Sequence, residues 1–193
     1  MVKKISELIT DFILSENTEY DQSVYSFGIY IFLYKLIFFI IVMLIGILQN
    51  EIVLSFIFFT TFMLLRKYTG GFHFENEYTC FIISIILAFY SLVLTKNNMH
   101  LPLIFLIVVD ILTIAGAPIE NRNKPLDLSE RKAYKKQTIY TLICINGFLS
   151  LAYLLNLMKI SYILQNTISL NFVLMCFGIL KIMFFEKNSK KMI

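Results

Sequence analysis

The apolar residues of this chain fall into one short amphipathic repeat followed by six long runs. In the repeat, Ile5, Leu8, Ile9, Phe12 and Ile13 recur at the spacing of one helical face. This predicts an N-terminal amphipathic helix within residues 1–26, lying on a membrane surface or packed against the rest of the protein. It is not a secretory signal, because Glu7 and Asp11 interrupt any apolar core. The runs are Phe27–Leu48, Ile52–Leu65, Tyr78–Thr95, Met99–Ala117, Ile139–Met158 and Tyr162–Phe185. A membrane-spanning helix needs roughly 17–25 apolar residues, and five runs meet that length. The second has 14 residues and would rise only about 21 Å as a helix. It must borrow Arg66 and its neighbours, thin the bilayer, or be shielded by other helices.

Composition turns these runs into spans. Hydrophobic residues make up 58% of the 193-residue chain and charged residues 16%, and the mean hydropathy is +0.75. Too little charge remains to solvate a globular surface, so a soluble enzyme and a disordered chain are both excluded. The fold class expected is an all-α integral membrane protein: about six transmembrane helices plus the N-terminal amphipathic helix, in a single polytopic domain over 1–193. Of the fifteen Lys and Arg outside the runs, thirteen lie on one side: Lys3, Lys4, Arg66, Lys67, the six from Arg122 to Lys136, Lys187, Lys190 and Lys191. Only Lys96 and Lys159 lie on the other. The positive-inside rule then puts both termini in the cytoplasm, with residues 66–77 and the basic loop 118–138 facing it. In a bacterium this is the plasma membrane.

The chemistry concentrates in residues 66–80, which hold one of two histidines and one of three cysteines. A thiolate is a strong nucleophile, and an imidazole can take the thiol proton and later protonate a leaving amine. On one continuous helix His73 and Cys80 would lie about 10.5 Å apart along the axis, too far for a hydrogen bond. If they act together, the helix must break between them. Gly70-Gly71 supplies a break, and a His-bearing loop could then fold back over the start of the third run. Arg66 could hold a carboxylate, stabilise an oxyanion or orient a neighbour. Residue types alone leave another reading open: a helix end and a core thiol.

Arg66, Gly71, His73 and Cys80 match the pattern R-x4-G-x-H-x6-C, and in this the chain resembles the accessory gene regulator B (AgrB) family of bacterial multi-pass cysteine endopeptidases. Length, the six runs, and a basic link bearing Ala117-Pro118 and Lys124-Pro125 extend the resemblance over most of the chain. It implies that His73 and Cys80 are the catalytic pair, with Arg66 and Gly71 supporting the site or orienting substrate. It also implies a short AgrD-like precursor peptide as substrate. Its C-terminal tail would be removed through an acyl-enzyme thioester, leading to a cyclic thiolactone or lactone signal for quorum sensing. A homodimer is implied as well; no cofactor or metal is.

Other residues keep two readings each. Lys35 and Asp110 are ionisable groups inside runs, at similar depths from the same face. They could form a buried pair that pins two helices, or bind substrate. The cations from Arg122 to Lys136 suit an acidic precursor tail or anionic membrane lipid. Cys144 and Cys176 lie mid-run as small apolar fillers. His100 belongs to the face opposite His73. The rival class is a transporter or channel built around a buried Asp–Lys pair, although no pair of matching interrupted helices accompanies it.

Overall fold

The computed structural model describes residues 2–14, 22–71, 77–119 and 126–189. Within them the chain is helical, without strands, in the order α1 (Val2–Leu14), α2 (Gln22–Gln49), α3 (Ile52–Thr69), α4 (Glu77–Lys96), α5 (Leu103–Gly116), α6 (Leu128–Leu154) and α7 (Met158–Ser189). Helices α2, α3, α4, α6 and α7 are long and apolar enough to cross a membrane, and α5 is a shorter apolar helix. The all-α membrane fold expected from the sequence is therefore present.

The second run does borrow Arg66 and its neighbours, and the short element is a different one. Helix α3 runs on through Arg66 to Thr69 and reaches 18 residues. The fourth run instead yields only the 14 residues of α5, because residues 99–101 follow a turn without helix and Pro102 sits at the N-cap. The basic segment 118–138 is likewise not all loop. It is helical from Leu128, where the Asp127 N–H donates to Glu130 Oε2 at 3.1 Å and caps α6.

Three tight turns share one design. After α2, α4 and α6 the chain passes through Asn50, Asn98 and Asn156, with φ of 57°, 56° and 57°. In each case the Asn N–H donates three residues back and the next N–H donates five back, as in Glu51 to Gly46, Met99 to Leu94 and Leu157 to Ala152. This is the Schellman closure, and asparagine tolerates its left-handed position better than other side chains bearing a Cβ. The turns gather at one end of the bundle. There Lys159 pairs with Glu51, Asn166 Nδ2 donates to the Met99 carbonyl at 3.0 Å, and His100 stacks on Tyr162 at 4.0 Å.

Helix α7 is the centre of the bundle and packs against α3, α4, α5 and α6, whereas α2 packs on α1, α3 and α4. The core joins Val42, Phe58, Phe62, Leu65, Leu92, Ile163 and Ile168. Helix α7 also buries Gln165, Asn166, Thr167 and Asn171, and two of these tie helices together, Asn166 Nδ2 donating to Thr95 Oγ1 and Asn171 Nδ2 to Thr69 Oγ1. Helix α1 docks on α2 in an unexpected orientation. Its small polar residues Ser6 and Thr10 are buried, while Ile5, Leu8, Phe12 and Ile13 are exposed.

Candidate active site

At the end opposite the asparagine turns, α3 stops at Thr69 and two glycines follow with positive φ, 69° at Gly70 and 132° at Gly71. The break expected there is present. Both glycines are also needed for space. A Cβ on Gly70 would lie 2.4 Å from the Ile119 carbonyl oxygen, and one on Gly71 would lie 2.4 Å from Arg66 Nη1. The segment after α5 folds onto this hinge, with the Ile119 N–H donating to the Thr69 carbonyl at 2.9 Å. From the other side, Asn171 Nδ2 of α7 donates to Thr69 Oγ1 at 3.2 Å, and Thr69 Oγ1 donates to the Leu65 carbonyl at 2.9 Å.

That scaffold brings Arg66 to Cys80. The half-buried Arg66 side chain lies beside Cys80, near enough for its guanidinium to favour a thiolate there. Cys80 is the fourth residue of α4 and is itself half-buried. Its carbonyl accepts from Ser84 Oγ at 2.9 Å, and the next residue, Phe81, packs edge-on against Tyr34 of α2 with ring centroids 5.0 Å apart. The sulfur is thus carried on a helix anchored to its neighbour, beside a fixed positive charge. Of the four motif residues, the structure brings together Arg66, Gly71 and Cys80. His73 lies outside the described residues, as do Arg122, Lys124 and Lys190. His100 follows the far end of α4, and Lys96 alone is about 24 Å from Cys80 along the helix axis. His100 cannot serve this sulfur.

Thr69, Ile119 and Asn171 were not singled out from the sequence. Asn171 carried the one available signal, a carboxamide inside an apolar run.

The expected Lys35–Asp110 pair is not formed. Asp110 Oδ2 instead accepts from Asn146 Nδ2 of α6 at 2.9 Å, while Lys35 is exposed on α2. The physical reason is helix placement: α5 packs on α7 and α6, and α2 packs on the other side of the bundle. The pair on which a transporter reading rested is therefore absent. Among the described residues no cluster of His, Cys, Asp or Glu could hold a metal ion.

The likeness to known proteins extends well beyond the motif. The family model for Accessory gene regulator B matches residues 6–184. The chain belongs to the AgrB family. Two proteins of Clostridium perfringens are similar to it. One, from strain SM101 / Type A and named "Putative AgrB-like protein", is 27% identical over 187 residues, covering 90% of this chain and 87% of its own. The other, "Putative AgrB-like protein 2" from strain 13 / Type A, is 28% identical over 162 residues, covering 77% of this chain and 75% of its own. No solved structure matches. Membership in the AgrB family links this multi-pass membrane protein to quorum-sensing peptide processing and to an AgrD-like precursor peptide.

Proposed function

We propose that the chain is a membrane cysteine endopeptidase that removes the C-terminal tail of the precursor peptide and holds the remainder as a thioester. The observation that carries this reading is the placement of Cys80 beside Arg66, with Gly71 leaving room for the guanidinium. His73, seven residues before Cys80, takes the thiol proton, and the sulfur attacks the scissile carbonyl carbon. Negative charge develops on the carbonyl oxygen, where the Arg66 guanidinium can stabilise it. Collapse breaks the C–N bond, and His73 returns the proton to the leaving amine of the tail. An internal cysteine thiolate of the peptide then attacks the acyl carbon. It forms the ring thioester and releases Cys80 as a thiolate. One thioester replaces another, so the exchange needs no external energy source. An internal serine would give a lactone in the same way. The enzyme would act as a homodimer in the bacterial plasma membrane, with Cys80 on the cytoplasmic side.

The test is co-expression with the precursor, read by mass spectrometry. Cys80→Ala and His73→Ala should each abolish cleavage, and the double change should be no worse than either alone. Cys144→Ser and Cys176→Ala should retain cleavage. An adduct of the tail-less peptide, released by hydroxylamine, should map to Cys80. Cleavage by the Cys80→Ala protein would overturn the mechanism.

A further inference from the structure

A groove of about 590 Å³ runs along the outside of the bundle between α3 and α6, within the size range of ligand sites, roughly 300–1,000 Å³. Its α3 wall is Phe56, Ile57, Thr60, Thr61, Leu64 and Tyr68. Its α6 wall extends from Gln137 to Leu155, about 27 Å of helix against a hydrocarbon core of about 30 Å. The groove therefore has close to the length of one bilayer.

Its two ends differ. At the Tyr68 end, Lys67 Nζ lies 5.0 Å from the Tyr68 ring centroid and Lys136 Nζ lies 5.6 Å from that of Tyr140. Both tyrosines line the groove, and Lys132 stands one turn before Lys136 on α6. At the opposite end the nearby cation, Lys159, is already held by Glu51. The result is an apolar trough with an aromatic and cationic collar at one mouth.

We propose that this groove binds a phospholipid with an anionic headgroup, its acyl chain along α3 and α6 and its phosphate at the Lys67–Lys136 collar. Charge complementarity at the mouth selects that occupant. A substrate segment is disfavoured by helix geometry. Arg66 is two residues from both Leu64 and Tyr68, a turn of about 200°, so the groove and the Arg66–Cys80 contact lie on opposite faces of α3. The inference does not depend on the peptidase mechanism.

The chain contains no tryptophan, which permits a single reporter. Phe148→Trp places it in the groove, where Phe148 is 68% exposed. Phe89→Trp places a control at matching depth on the exposed face of α4, where Phe89 is 52% exposed. Each protein is reconstituted in phosphatidylcholine vesicles containing a minor fraction of phosphatidylglycerol, with one lipid or the other brominated on its acyl chains. Brominated phosphatidylglycerol should quench the groove reporter in excess of its mole fraction, and the control in proportion to it. Lys67→Gln with Lys136→Gln should cut the preference by about 25-fold, from about fivefold per lysine. The proposal fails if both lipids quench the groove reporter in proportion, if the control shows the same preference, or if the preference survives the lysine changes. It fails equally if neither lipid reaches the groove reporter while both reach the control, since a protein segment would then cover the groove.

Discussion

Gly71 is where a single side chain would do the most damage. Its φ of 132° belongs to a region that residues with a Cβ rarely adopt, and the missing Cβ is where Arg66 Nη1 approaches. Gly71→Ala should therefore move both the hinge and the guanidinium, at a backbone cost of about 1–3 kcal/mol. The protein should still insert and purify, because the apolar spans are untouched, while precursor cleavage falls by on the order of a hundredfold. Gly28→Ala is the matched control: nothing lies within 4 Å of its Cβ position, and alanine suits a helix better than glycine. Unchanged cleavage by Gly71→Ala would mean that the Arg66 placement does not matter. The sequence made the motif and the helix break legible, since both are local. It could not show why the second glycine is required, because the atom that excludes a side chain is the tip of a residue one helical end away. Asn171 was hidden for the same reason: its partner, Thr69, is 102 positions earlier.

At the scale of helices, the hydropathy pattern located every apolar helix but fixed their ends less well. Apolar runs end where charge begins, whereas a helix continues past Arg66, Lys67 and Tyr68 when long side chains can reach toward the interface. Conversely, the apolar residues after Asn98 are not helical, because the turn closure and Pro102 delay α5. The charge pairing failed for a related reason. Equal depth was legible in the sequence, but helix adjacency was not, and α5 neighbours α6 rather than α2. The contact found in its place predicts its own outcome. Asn146→Leu removes the donor from Asp110 and should lower the folded, monodisperse fraction in detergent. Asp110→Leu together with Asn146→Leu should recover much of that loss. The coupling should be about 0.6–1.7 kcal/mol, typical of hydrogen bonds between membrane helices. Lys35→Met should leave the yield unchanged, and a loss as large as that of Asn146→Leu would restore Lys35 as a structural partner.

For the molecule as a whole, the two ends of the bundle are built differently, and that asymmetry bears on function. One end is closed by three short asparagine turns, with Glu51 and Lys159 neutralising each other there. The other carries the glycine hinge, Cys80, the basic first turns of α6 and the collar of the groove. Among the described residues, Arg66, Lys67, Arg131, Lys132, Lys135 and Lys136 belong to that second end, and cations near short loops stay on the cytoplasmic side during insertion. In the proposed mechanism Cys80 then attacks where a newly made precursor is available, before any product crosses the membrane. Orientation can be measured independently of activity in a background carrying Cys144→Ser and Cys176→Ala. A membrane-impermeant maleimide applied to intact cells should label Asn97→Cys and His100→Cys, which stand beside an asparagine turn. It should reach Ser129→Cys and Lys132→Cys only after the membrane is permeabilised. Strong labelling of Lys132→Cys from outside would invert the topology and place Cys80 on the outer face. The precursor would then have to cross the membrane before cleavage, a different order of events from the one proposed.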